Sequence, residues 1–174
     1  MEKTLILFTH PALEKSKVHR ALKEGVENLE GVTFHDLYEE YPDFYIDVQR
    51  EQALLLEHSK IIWQHPLYWY SVPALMKEWI DVVLQHGWAY GSDGTVLEGK
   101  TVKSVISTGG SEKAYCPQGH NYYPVEEFLR PLERTAVLCR MEYLEPMIFY
   151  GAFQLDGDAL SSAVDRYRKY LQTS

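Results

Sequence analysis

Two histidine–proline pairs stand where apolar runs end: His10-Pro11 in FTHP and His65-Pro66 in WQHPLYWYSVP. Proline has no N–H to donate and so closes a hydrogen-bonded ladder. The histidine before it places a titratable ring at the exit of the element. One such ending is a turn, whereas two suggest turns that meet at a site. Three nearby stretches carry distinct chemistry. In the first, His10, Lys15, Lys17 and His19 surround Ser16 and bring local positive and donor character to a chain of formal charge −8. If Ser16 caps a helix, the unpaired N–H groups of its first turn attract an anion. In the second, Leu67, Tyr68, Trp69 and Tyr70 follow His65-Pro66; as an extended segment they would bury some rings and set others along a cleft, suited to a flat ligand. In the third, Thr108, Gly109, Gly110 and Ser111 place two glycines in a row, where backbone amides can approach a ligand closely. Each stretch also has an ordinary reading, as a bare cap with solvated lysines, aromatics packed under a turn, and a tight glycine turn. Taken together they describe a pocket for a flat, partly anionic cofactor, with phosphate at the first helix and a ring between the second and third loops. Flavin mononucleotide fits that description. The GxGxxG, P-loop, HExxH and GxSxG patterns are missing, which weighs against kinases, zincins and serine hydrolases.

An alternation of strands and helices must hold these loops. TLILF (4–8) is a continuous apolar run, as expected of a strand covered on both faces. A helix capped by Ser16 then carries Val18, Ala21, Leu22, Val26 and Leu29, and Glu30-Gly31 stops it. Strands are expected at 32–37, 60–64 and 101–107, with a fifth in the second half of 141–151. Residues 38–47 read as a loop with a buried aromatic set, and Asp47 caps a helix to about Glu57. A further helix is predicted over 73–87, opening on Pro73 and closing at Gly87, with Met76, Trp79, Ile80 and Val83 on one face. After a polar loop over 108–123 comes a helix from about Pro124 to Cys139, which Pro131 should kink or split. A last helix is capped by Asp158. Five strands alternating with helices predict an α/β fold with a parallel sheet. In a sheet of order 2-1-3-4-5, strands one, three and four are neighbours. Their carboxyl ends then line one crevice beside the switch point, and the two His-Pro pairs face each other across it.

The composition sets outer bounds. At 174 residues, with 45% hydrophobic and 24% charged, the chain reads as a single domain, 1–174, without repeats or an interdomain linker. Its acidity argues against nucleic acid as a partner, since the mean field repels phosphate. Cys116 and Cys139 form no CxxC pair, so no zinc site or disulfide framework is indicated, and two free thiols in a reducing cytosol are expected. No run approaches the ~18 apolar residues of a membrane span, and the N-terminal MEKTLILFTHP reads as a strand rather than a signal peptide. Thirteen tyrosines, four tryptophans and six phenylalanines exceed what a core readily absorbs, because tyrosine is amphipathic; a ligand surface or a subunit interface would use the surplus.

FTHP…S..H, WQHPLYWYSVPALMKEWID and STGG together resemble the flavodoxin-like NAD(P)H:quinone oxidoreductases. HDLYEEYPDFYID..REQALL.EH and LRPLERTAVLCRM bring the chain nearest to the ancillary quinone reductases of bacterial glutathione-regulated potassium-efflux systems. The resemblance runs along nearly the whole chain, and its most specific part is Pro73, Lys77, Trp79 and Asp81. It implies a flavodoxin-like three-layer sandwich binding FMN, with FAD as the alternative. Phosphate contacts would fall at His10, Ser16, Lys17, Val18 and His19. Ring contacts would come from Pro66, Leu67, Tyr68, Trp69 and Tyr70 and from Thr108, Gly109, Gly110 and Ser111. The family usually has Asn where this chain has His19, which leaves the choice between FMN and FAD open. Tyr115 and His120 resemble the tyrosine and histidine that relay a proton to the flavin, at a spacing one residue shorter than in the mammalian enzymes. Trp88 and Tyr90 would reach the partner's ring at a two-fold homodimer interface.

The activity so implied is two-electron, ping-pong reduction of quinones by NAD(P)H, with no metal. The alternative is a regulatory ancillary subunit that activates a potassium-efflux antiporter, the flavin serving as a structural or sensing ligand. A third class, the single-electron carrier of the flavodoxin type, needs no pyridine nucleotide. The resemblance places the protein in the cytoplasm, peripheral at the inner face of the cell membrane where an antiporter holds it.

Overall fold

A computed structural model describes residues 3–173. The five apolar runs form one parallel sheet: β1 (Thr4–Phe8), β2 (Val32–Asp36), β3 (Lys60–Pro66), β4 (Thr101–Ser107) and β5 (Glu142–Phe149), in the order β2-β1-β3-β4-β5. Every residue of β1 and β3 is buried, which is why these strands read as unbroken runs rather than as alternations. Alternate side chains feed two cores. Leu5, Leu7, Ile61 and Trp63 pack with α3 (Val48–Glu57), α4 (Ala74–Val83) and α5 (Val125–Leu138) on one face. Ile6, Phe8 and Ile62 pack with α1 (Lys17–Val26) and α6 (Gly157–Gln172) on the other. The result is the expected three-layer α/β sandwich.

The boundaries depart from expectation where side chains intervene. A one-turn helix, α2 (Leu37–Glu40), opens the expected 38–47 loop because Asp36 accepts from the N–H groups of Tyr38 and Glu39. β3 runs on through Pro66, which lies beside Ser107. Leu67 N–H bonds the Ser107 carbonyl, so the N–H that Pro66 lacks falls on the β1 side, where β1 has already ended. α4 stops at Val83 rather than Gly87; the Gln52 side chain takes the Val83 carbonyl at 3.0 Å. α5 is continuous and is not split at Pro131. Pro131 and Glu127 are both exposed, so the carbonyl that the proline leaves unpaired lies on the wet side of the helix. β5 starts earlier than expected and absorbs Pro146 in an irregularity, its register slipping between Lys103–Leu144 and Val105–Met147. The N-cap of α6 is Asp156, without a side-chain cap bond, and Asp158 sits in the first turn.

One buried polar cluster between the sheet and its helices has both carboxylate oxygens matched. Glu51, fully buried on α3, accepts from His35 Nε2 (2.8 Å) and Tyr41 Oη (2.6 Å) on one oxygen and from Trp79 Nε1 (2.8 Å) on the other. This carboxylate ties β2, the segment after α2, and α4 together. Burial alone would push its pKa up, but the bonds and charge of His35, with Tyr41 and Trp79, hold it below the ordinary glutamate value.

Candidate functional site

The winding reverses between β1 and β3, and a cavity of about 590 Å³ opens at their carboxyl ends. Main-chain bonds lace the surrounding loops together. Thr9 N–H reaches Gln64 O, Leu67 N–H reaches Ser107 O, and Thr108 N–H reaches Phe149 O. These continue the sheet by one rung past its strands, so the loops diverge from a common rigid edge.

The first loop brings His10, Lys15, Ser16 and Lys17 to the cavity. Ser16 is the N-cap of α1 and accepts from His19 N–H at 3.1 Å; the earlier amides of that turn have no partner within the helix. The Val18 and His19 side chains are fully buried, so at this end they offer backbone alone. His10 accepts from Ala12 N–H at its Nδ1 (3.1 Å), and burial lowers its pKa. The neutral ring therefore carries its proton on Nε2.

The second loop lines the cavity with Pro66, Leu67, Tyr68 and Trp69, in a shape the sequence did not suggest. It is not extended. Tyr68 and Ser71 exchange both main-chain bonds (3.0 and 2.9 Å), and the two residues between them, Trp69 and Tyr70, have φ of 48° and 61°. This is a tight hairpin turn of the kind that normally takes Asn-Gly. Bulky residues there cost of order 1–2 kcal/mol each, and such strain concentrates at functional sites. Tyr70 is anchored against Phe128 (5.0 Å between ring centroids) and donates to Asn121 Oδ1. Trp69 is 94% exposed at the cavity rim. The two His-Pro pairs do not face each other whole. Pro66 shares the cavity with His10, while His65 lies fully buried and donates from Nδ1 to the Pro66 carbonyl, its pKa lowered to about 4 by burial.

From the third loop, Gly109 reaches the cavity. Thr108 is buried and donates to the Gly110 carbonyl at 2.8 Å. Ser111 is exposed beyond it. Tyr115 packs on Gly110, Tyr150 and Phe128, and burial raises its pKa. His120 is exposed further along the loop, and neither residue lines the cavity. Trp88 and Tyr90 lie half-buried between α4 and β4, also outside the cavity.

Sequence reasoning missed a fourth loop. Ala152 N–H and Gly151 N–H bond the carbonyls of Thr108 and Gly110, which carries Ala152 and the 84% exposed Phe153 to the rim. The Phe153 ring lies where a side chain on Gly109 would be, 2.8 Å from its ideal Cβ position. Ser107, the last residue of β4, was missed as well. The signal was available, because the strand-end rule that selected three loops applies equally to the fifth strand. Chemically, the cavity offers amides and two lysines at one end and flat apolar surfaces with a side-chain-free approach at the other.

This fold and cleft define a flavodoxin-like protein. The chain matches the family described as having a flavodoxin-like fold over residues 2–171 and belongs to it. It is 50% identical, over 97% of its own length and 92% of the relative's, to the glutathione-regulated potassium-efflux system ancillary protein KefG of Pectobacterium carotovorum subsp. carotovorum (strain PC1). Three solved structures superpose closely. General stress protein 14 of Treponema denticola, in complex with FMN, has a TM-score of 0.89 at 37% identity, with 98% of this chain and 96% of that one covered. An NADPH-quinone reductase from P. pentosaceus has a TM-score of 0.88 at 35% identity, with 97% and 96% covered. A structure described as a thermophilic tryptophan halogenase from Streptomycin violaceusniger has a TM-score of 0.94 at 44% identity, with 98% and 99% covered.

Proposed function

We propose that this protein is an FMN-dependent NAD(P)H:quinone oxidoreductase, acting as a single-domain chain in a homodimer. The observation that carries the reading is one cavity joining the N-terminus of α1, with Lys15 and Lys17, to the strained Trp69 turn and Gly109. These features fit FMN in both chemistry and order, since amides and ammonium groups suit a dianionic phosphate and the turn and glycine suit a planar ring. The FMN complex and the NADPH-quinone reductase among the structural relatives support it. Fold alone does not transmit activity, and it is this residue set that favours quinone reduction.

Bound FMN would supply two-electron redox chemistry by a ping-pong scheme, in which NAD(P)H, a proton and a quinone become NAD(P)+ and a quinol. The protein's own contribution is positional and electrostatic. Ser16 caps the first turn of α1 by accepting the His19 amide, which leaves the Lys17 and Val18 amides, with the Lys17 side chain, open to the phosphate. Pro66, Leu67, Tyr68 and Trp69 wall the ring, with Tyr70 bracing their turn against Phe128, and the amides of Gly109, Gly110 and Ser111, on a loop that Thr108 braces, offer donors to its polar edge. The Tyr115 hydroxyl and the His120 imidazole exchange the proton that accompanies the electrons. Trp88 and Tyr90 complete the site from a second copy of the chain. Purified protein should be yellow, release FMN rather than FAD on denaturation, and oxidise NADH or NADPH with benzoquinone. Colourless protein that gains no flavin on reconstitution would end the proposal.

The 50% identity to an ancillary protein of a potassium-efflux system supports a second role, as an activator of such an antiporter in which flavin has a structural or sensing part. Among the described residues no helix is long and apolar enough to cross a membrane; in this reading a cytoplasmic protein sits at the inner membrane face through its partner. Replacing Tyr115 and His120 separates the roles. Efflux activation that survives loss of turnover assigns regulation to the folded flavoprotein, and loss of both together assigns it to catalysis.

A further inference from the structure

Behind the cavity wall runs a chain of four buried polar side chains from four elements. Tyr167 of α6 donates from Oη to Gln64 Oε1 of β3 at 2.9 Å; Gln64 Nε2 lies 3.5 Å from His19 Nδ1 of α1; and His19 Nε2 lies 2.9 Å from Ser107 Oγ of β4. Tyr167, Gln64 and His19 are fully buried, and Ser107 is nearly so, with its remaining edge on the cavity.

The direction of the chain is set at its far end. Among the described residues the Tyr167 hydroxyl finds its acceptor in Gln64 Oε1, which turns the amide nitrogen toward His19. An amide nitrogen only donates, so His19 Nδ1 must be bare and the proton of the neutral ring sits on Nε2. The ring stays neutral because burial, with His10 and His65 close by, holds its pKa well below the ordinary histidine value. His19 Nε2 therefore donates to Ser107 Oγ, and the serine's own proton is left for an acceptor in the cavity. Reversing every bond would strand the Tyr167 proton in the core, the costly outcome for a buried donor.

We propose that Tyr167 and Gln64 are positioning residues which, through the tautomer of His19, turn the Ser107 hydroxyl into a donor aimed at an acceptor atom of the bound cofactor. The identity of that cofactor rests on the FMN reading above, whereas the direction of the chain does not.

Nitrogen-15 NMR of the labelled protein reads the protonated imidazole nitrogen directly, with the His19 signals assigned by their loss in His19→Asn. In ligand-free wild type the expected form is Nε2–H, constant across neutral pH. Tyr167→Phe frees the amide to turn, so Nδ1–H ring should appear and the FMN Kd should rise about three- to tenfold, the worth of one directed hydrogen bond. A residue that merely fills space would leave the tautomer untouched. Gln64→Glu is a second variant, since a carboxylate accepts from Nδ1 and should reverse the tautomer outright. Wild-type His19 protonated on Nδ1, or on both nitrogens, would overturn the proposal, as would either variant keeping the Nε2–H form. Wild-type protein that binds no FMN would sink the cofactor reading, while the spectrum of the ligand-free protein still decides the direction of the chain.

Discussion

Trp69→Asn should make the ligand-free protein more stable and the flavin complex weaker. Trp69 occupies the left-handed region, at φ 48°, in the turn closed by Tyr68 and Ser71. A bulky residue there costs of order 1–2 kcal/mol, much of which Asn avoids because it tolerates that backbone. Little packing offsets the gain. With 94% of the residue exposed, the ring buries roughly 15 Å² of its ~250 Å², worth about 0.4 kcal/mol at ~25 cal/mol per Å². The net expectation is about 0.5–1 kcal/mol of added stability, or a Tm higher by roughly 1–4 °C for a chain of this size. Losing an aromatic face against the isoalloxazine should cost about 1 kcal/mol or more, weakening FMN and riboflavin alike by at least about fivefold. Urea and thermal unfolding of the ligand-free protein, with flavin fluorescence titration, measure both quantities. A less stable ligand-free variant would refute the strain argument, and unchanged flavin affinity would remove Trp69 from the binding surface.

The phosphate end admits a complementary test. Ser16→Asp keeps a good N-cap for α1, so Tm should hold within about 2 °C, but a carboxylate beside the phosphate should weaken FMN at least about tenfold while sparing riboflavin, which lacks the phosphate. Equal losses for both flavins would place the phosphate elsewhere. Gly109→Ala puts a methyl 2.8 Å from the Phe153 ring; because that ring is at the surface it can swing aside, so stability should change by less than about 1 kcal/mol while the reshaped rim weakens FMN, as isothermal titration would report. Glu51→Gln must confront one of its three donors with an amide N–H, costing about 2–3 kcal/mol and roughly 5–10 °C of Tm. It should also change the acid limb of stability. The folded-state pKa of Glu51 lies below the ordinary value, so its contribution is complete above the unfolded pKa near ~4.3 and drains away as pH falls through the folded value. Urea midpoints below about pH 4.5 should therefore fall less steeply for the variant; parallel profiles would show that Glu51 is not the group responsible.

The sequence by itself determined the architecture. Unbroken apolar runs such as TLILF and KIIWQ, too short for helices, read as strands covered on both faces, and the periodic faces of 17–26 and 74–83 supply the covers. Once the sheet is given the order 2-1-3-4-5 that the flavodoxin-like resemblance implies, the strand-end rule selects the loops, which is how the first three became legible. Three features were decided by tertiary structure alone. The Trp69-Tyr70 turn is invisible to propensity, which would never assign two bulky residues to positive φ; the pairing of Tyr68 with Ser71 and the anchoring of Tyr70 on Phe128 and Asn121 impose it. Phe153 reaches the rim because bonds from 151 and 152 graft its loop onto residues 108–110, a join between segments some forty residues apart. The chain from Tyr167 to Ser107 crosses four elements spread from α1 to α6. Local sequence encodes which residues are apolar and where a chain can turn, because those depend on neighbours along the backbone. The direction of a buried hydrogen bond depends on which groups are left facing each other once the layers close, and that is settled only in three dimensions.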